Sequence, residues 1–462
     1  MEGLCLSEHE YRLVSIRKVK MLKRITKWMY FGMLMVILMV ALAGCQGGSE
    51  TGGPANNGQG ASPSEQGQES QNLPPDEGDP SSSPEEDEGG KPPANAPQNA
   101  VDKLMSTMTV KEKIGQLVLV GIEGTTPDDT SRKLLKEYHV GGFIFFKDNI
   151  ESTEQSVQLL NDLKKANAAN PVPLWLSIDE EGGRVTRFPD EYVKLPSSGE
   201  VGSRQDLELT KNVGGLIARK VSGLGLNMVF APVLDIDSNP NNPVIGDRSF
   251  GTTAEEVSSQ GIASMKGIQE KEVVPVVKHF PGHGDTSVDS HLGLPVVEHN
   301  LKRLHELELV PFQQAIDDGA DVVMVAHLLM KSIDPDTPSS YSKPVITDLL
   351  REEMGFDGVV ITDDMTMGAV SGNTDVGEAS VQSILAGSNI VLIGHEYAQE
   401  EAVIQALTEA VDSGVISEEL LNDRVRTTLE LKDKYRLSDE PVKVPDVKQL
   451  NADTKAVIDQ MK

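Results

Sequence analysis

From about residue 98 onward, short β-rich apolar runs alternate with longer stretches in which apolar residues recur at helical spacing. The runs are 116–121, 141–146, 174–179, 228–236, 273–280, 321–327, 358–364 and 388–394. Strands alternating with amphipathic helices predict repeated βα units and a parallel sheet. Eight units over about 300 residues fit a (β/α)8 TIM barrel, with an open doubly wound sheet as the alternative. The polar residues favour the barrel. Asp179, Asp235, Lys278 with His279, His327 and Asp363 all stand at or just past the C-terminal end of an apolar run, where barrels build their sites. A single one could be a helix cap or a solvated loop residue, but five together point to a site. The expected catalytic domain is 98–440, closed by the helical stretch 414–437. Residues 441–462 form a polar tail with no assigned structure.

The chain before the barrel has a different pattern. Residues 1–44 contain a basic segment with Lys23, Arg24 and Lys27, then an uncharged apolar stretch from Trp28 to Gly44 that ends at Cys45. This is the pattern of a secretion signal, with translation expected to start at Met21. Small residues before a cysteine resemble a bacterial lipobox, which would make Cys45 the lipidation site. A transmembrane anchor is the alternative, although the stretch is shorter than the roughly 20 residues a spanning helix needs. Either reading places the domain outside the cytoplasm, with a lipid anchor on the outer face of the cytoplasmic membrane preferred. Residues 45–97 carry the lipidated Cys and a Gly-, Ser-, Pro- and Glu-rich linker that buries too little apolar surface to fold. As a flexible coil it spans on the order of 40 Å.

The chain has 462 residues, a formal net charge of −29 and 2 cysteines, one of them Cys5 upstream of Met21. Loss of that segment leaves Cys45 alone, so no intramolecular disulfide forms and, with Cys45 lipidated, thiol catalysis is excluded. The acidic balance argues against nucleic acid as a partner.

The segment from Lys278 to His291, KHFPGHGDTSVDSH, packs three His, two Asp and a Lys around two glycines after an apolar run. Pro281, Gly282 and Gly284 forbid a helix here, so the histidines are not arranged as a helical zinc motif, and no metal or other cofactor is expected. The remaining choices are a solvated polar loop or a catalytic one.

Four motifs decide between them: IDEEGGRVTRF (178–188), APVLDIDSNPNNPVIGDRSFG (231–251), KHFPGHGDTSVDSH (278–291) and GVVITDDMTMGA (358–369). Together they resemble the β-N-acetylglucosaminidase branch of the family 3 glycoside hydrolases, over residues 100 to about 437. The resemblance implies Asp363 as nucleophile, with the adjacent Asp364 as competitor, and His291 as acid/base with Asp289 as its partner. It places substrate binding on Asp179, Arg187, Arg248, Lys278 and His279, although Arg187 could instead be an ion-pair partner of Asp179. Glu181 and Arg184 read as scaffold, His283 as a brace for the loop, and His327 as a possible pocket residue. An imidazole titrates near neutrality, so it can protonate a leaving oxygen and then accept a proton from water.

The implied activity is retaining, exo hydrolysis of terminal non-reducing β-linked N-acetylglucosamine from wall fragments (GlcNAc-MurNAc) or chito-oligosaccharides. The expected partners are the amino-sugar glycan and, through the lipid, the membrane; a monomer is expected. A β-glucosidase or phosphorylase of the same family and a non-catalytic wall-binding lipoprotein are the alternatives.

Overall fold

The computed structural model describes residues 100–462. The expected signal segment, Cys45 and the expected linker lie outside the described residues. Each of the eight apolar runs supplies one parallel strand of a closed barrel. In chain order the strands are β1 (Val118–Val120), β2 (Gly142–Phe145), β3 (Trp175–Ile178), β4 (Met228–Val229), β5 (Val274–Phe280), β6 (Val296–Val297), β7 (Val322–Val325), β8 (Leu329–Met330), β9 (Val359–Asp364) and β10 (Ile390–Ile393). The barrel runs β1, β2, β3, β4, β5, β7, β9, β10 and back to β1. The short parallel pair β6 and β8 stands outside it.

Strand periodicity sorts the side chains. Leu119, Ile144, Trp175, Met228, Val274, Val276, Val322, Met324, Val359, Ile361, Ile390 and Leu392 belong to one cluster that fills the barrel. Alternate residues such as Val118, Val120, Val277 and Val323 pack outward with the helices. Helices begin where the sequence supplies caps: Asp206 accepts from Glu208 N and Leu209 N, and Thr253 forms a capping box with Glu256.

Two expectations need correction. The run 228–236 is paired as a strand only at Met228–Val229, with a single further bridge from Val233 to Lys278. Pro232 has no N–H to give a ladder, so pairing is interrupted between Val229 and Val233. The polar tail is folded as well. Val447–Gln460 is a helix capped by Asp446, with Leu450, Val457 and Met461 buried in the core. Asp453 pairs with Arg219 at 2.6 Å, and Asn451 holds Val193 N and Glu191 O. Among the described residues, no helix is long and apolar enough to cross a membrane.

Ending the chain after Glu440 removes these contacts, and burying one such apolar side chain is worth about 1.5–3 kcal/mol. The thermal midpoint is expected to fall by about 5–10 °C while far-ultraviolet circular dichroism still shows a folded barrel. An unchanged midpoint would show that this helix adds nothing to stability.

Candidate active site

The C-terminal ends of the barrel strands enclose a cavity of about 520 Å³. Seven of the eight residues expected to act on or bind substrate line it: Asp179, Arg187, Arg248, Lys278, His279, His291 and Asp363. The eighth, Asp289, reaches it through His291.

The closed end is built from buried charge. Alternation along β5 carries the inward set Val274, Val276 to Lys278, whose side chain is 2% exposed. Its Nζ lies 2.5 Å from Asp179 Oδ1 and 2.8 Å from Glu181 Oε1. Arg248 donates from Nε and Nη2 to the two Glu181 oxygens, each at 2.8 Å. Burial would raise the Glu181 carboxyl, but Arg248 and Lys278 hold it far below the usual range. Glu181 is therefore scaffold, as its sequence context suggested. Asp179 is paired with Lys278 and not with Arg187. The Arg187 backbone N–H donates to Glu180 Oε2, its side-chain Nε is buried without a partner, and the residue lines the cavity.

Asp235, fully buried, orients the next side chain. It accepts from His279 Nδ1 at 2.6 Å and from the backbone N–H of His283 at 2.6 Å. With Nδ1 donating, His279 Nε2 is an acceptor for Arg248 Nη2 at 3.3 Å.

Asp363, the next-to-last residue of β9, lines the cavity. Between Ile361 and Asp364 this strand carries one residue more than β10, a bulge that brings both aspartates to the cavity. Their contacts differ. Asp363 receives one hydrogen bond, from the Asp364 N–H at 2.9 Å. Burial would raise its carboxyl, but His327 and His279 first, then that N–H and His291, bring it below its ordinary value, so it is ionised near neutrality. Asp364 is saturated: Oδ1 accepts from Thr366 N, Thr366 Oγ1 and Gly394 N, and Oδ2 lies 2.8 Å from His395 Nδ1. A carboxylate so engaged is a brace, which leaves Asp363 as the free carboxylate.

His291 stands at the mouth with a side chain 67% exposed, its Nδ1 2.8 Å from Asp289 Oδ1. Burial opposes it, yet the backbone N–H and ring of His291 keep the Asp289 carboxyl below its ordinary value. Beneath, Gly284 passes so close to Ile236 that an added Cβ would sit 1.7 Å from its carbonyl oxygen. His283 bonds Thr286 Oγ1 at 2.8 Å and Ser290 Oγ at 3.2 Å, bracing the loop as expected. His327 does not reach the cavity. It is buried between Ser340 Oγ, 2.6 Å from Nδ1, and the Asp364 carbonyl, 2.9 Å from Nε2. Burial lowers its pKa, and it supports the end of β9.

Among the lining residues to which the sequence reading gave no role are Phe146, His395 and Glu396. Phe146 immediately follows β2 and His395 stands two residues past β10. The strand-end rule that found Asp363 would have found His395, whereas apolar Phe146 lies outside a rule built on polar residues.

An ionised carboxylate and an exposed imidazole around one cavity of sugar size, at the mouth of a β/α barrel, suit the chemistry of a glycoside hydrolase. The sequence profile of the glycosyl hydrolase family 3 N terminal domain matches residues 109–431, and the chain belongs to that family. It is similar to beta-hexosaminidase A of Pseudoalteromonas piscicida, 33% identical over 335 residues that cover 67% of this chain and 56% of that protein. A beta-hexosaminidase of Nitrosomonas eutropha is 35% identical over 300 residues, 64% of this chain and 84% of that protein. Among solved structures, the family 3 beta-N-acetylglucosaminidase of Paenibacillus sp. str. FPU-7 is 42% identical with a TM-score of 0.72, over 76% of this chain and 68% of that one.

Breaking a buried ion pair from one side costs about 3–5 kcal/mol, because the partner's charge stays buried. Glu181→Gln should lower stability on that order at neutral pH, read from urea midpoints. The folded carboxyl titrates below its unfolded value of 4.5, so this stabilisation is complete above that pH and is lost as pH falls further. The gap between wild type and variant should therefore narrow below about pH 4.5. A gap independent of pH would mean that Glu181 acts by packing alone.

Proposed function

We propose that the protein is a retaining exo-β-N-acetylglucosaminidase acting on terminal non-reducing β-linked N-acetylglucosamine, with GlcNAc-MurNAc wall fragments as the natural substrate class. The observation that carries this reading is the placement of a free Asp363 carboxylate and the His291–Asp289 pair on one cavity whose closed end holds Asp179, Lys278, Arg248 and His279. Buried donors and acceptors at a closed end suit the hydroxyls of a terminal sugar, which is the basis for exo action. The Arg187 side chain also lines the cavity and supplies a donor for a further substrate oxygen, such as the acetamido carbonyl.

In this reading Asp363 attacks the anomeric carbon while His291 gives its proton to the departing glycosidic oxygen, leaving a covalent glycosyl-enzyme. The neutral imidazole then takes a proton from water as water attacks the anomeric carbon and releases Asp363. Asp289 orients the ring and stabilises the imidazolium. A neutral base also tolerates phosphate as acceptor, so assays with and without inorganic phosphate separate hydrolase from phosphorylase by whether GlcNAc 1-phosphate forms. Paired N-acetylglucosaminide and glucoside substrates separate it from a β-glucosidase.

General acid help contributes about 10²- to 10⁴-fold and matters least for a good leaving group. His291→Ala should therefore slow a disaccharide far more than a dinitrophenyl glycoside, on which the glycosyl-enzyme accumulates, and peptide mapping should place the sugar on Asp363. Equal losses on both substrates, or a label on Asp364, would overturn these roles.

The location is proposed from the sequence alone: a lipid on Cys45 holds the domain outside the cytoplasmic membrane. Labelled palmitate should enter the protein in a bacterial host and be lost in Cys45→Ser. Membrane retention without label would favour the apolar stretch as the anchor.

A further inference from the structure

The cavity mouth carries a second imidazole–carboxylate pair that the proposed reaction does not use. His395, past the end of β10, has Nδ1 2.8 Å from Asp364 Oδ2, and its ring packs on Phe146 with centroids 4.4 Å apart at 35°. Two contacts hold the ring, yet 57% of the side chain is exposed, and Nε2 has no hydrogen-bond partner among the described residues. Close packing fixes the arrangement. A Cβ on Gly394 would meet Asp364 Oδ2 at 2.6 Å and Phe146 Cζ at 2.9 Å. Ordering an exposed side chain costs rotamer entropy. Here that cost leaves one ring nitrogen and one ring face of a cavity-lining residue with no hydrogen-bond or ring partner among the described residues.

The layering of the cavity indicates what meets that ring. Lys278 and Arg248, at 2% and 13% exposure, form the closed end, whereas His291 at 67% and His395 at 57% form an outer layer. His291 protonates the leaving oxygen in the proposed reaction, so the sugar that leaves lies in the outer layer, beside both histidines. Phe146, among the lining residues, backs the His395 ring with an apolar face. Glu396 also lines this wall, and with Asp364 it makes the surroundings of His395 anionic.

We infer that His395, held by Asp364 and backed by Phe146, is the binding contact for the leaving sugar. Its ring packs against a face of that pyranose and its Nε2 hydrogen-bonds one of its oxygens. The hydrogen bond to Asp364 raises the proton affinity of the imidazole, which favours Nε2–H as a donor. The assignment rests on the glycosidase reading above and adds to it a selectivity for sugar over small leaving groups.

The test compares kcat/KM for a β-1,4-linked N-acetylglucosamine disaccharide, whose leaving group is a pyranose, with that for N-acetyl-β-glucosaminyl azide, whose leaving group is too small to reach the ring. In His395→Ala the disaccharide value should fall about 10- to 100-fold, the range for losing a charge-assisted hydrogen bond with its packing. The loss on the azide should be at least ten times smaller, and azide turnover reports that the variant is folded. His395→Gln keeps an N–H donor and should recover part of the disaccharide activity. Equal losses on the two substrates would assign His395 to the glycon or to Asp363, and no loss on either would remove it from binding; both results overturn the inference. Wild-type protein that turns over neither substrate would instead overturn the glycosidase reading, and this inference with it.

Discussion

Two cations, Lys278 and Arg248, are buried at the closed end of the barrel mouth, and the site depends on the carboxylates that neutralise them. Glu181 meets both and Asp179 meets Lys278. Moving a charge out of water costs several kcal/mol even after relaxation, so each member is tolerable only with the others in place. The result is a rigid, preorganised set of donors and acceptors that does not have to form when substrate arrives. It also fixes geometry beyond itself, because Arg248 contacts His279, and Asp235 ties His279 to the backbone of His283 at the start of the His291 loop.

Strand geometry places the remaining groups. The same alternation that fills the barrel with Val274, Val276, Val359 and Ile361 projects the next inward position into the cavity as Lys278, while the β9 bulge brings Asp363 and Asp364 there together. Asp364 is used up by Thr366, Gly394 and His395, and His327 bonds its carbonyl from below. Asp363 is thereby held by its neighbour and still carries a free carboxylate oxygen. Two aspartates adjacent in sequence thus take separate tasks, because one is saturated with donors and the other receives one.

Against this floor, the mouth is open. His291 and His395 are each tied to a carboxylate through Nδ1 and are otherwise exposed. The His291 loop carries its own bracing through His283, Thr286 and Ser290, and it touches the turn after β9, where Gly368 N donates to the His291 carbonyl. The exposed imidazole is positioned by its own loop and by a neighbouring one, without being buried.

The eight strands, the barrel and the expected lining residues were legible in the sequence because they follow from local rules: a period of two, turn-forming glycines and polar residues at strand ends. The 228–236 run was overread because Pro232 breaks the ladder, and the tail was left unassigned because its apolar residues find their partners only on the barrel's helices. Partner choice was not legible either. Lys278 and Asp179 are 99 residues apart in sequence, and barrel closure decides that they meet while Arg187 stays unpaired. The same closure seats His395 on Phe146 and withdraws His327 from the cavity. Residue type and spacing determined which groups stand at the strand ends. Which of them touch was set by the ring of eight strands, since a contact across the barrel depends on the register of every strand between the two.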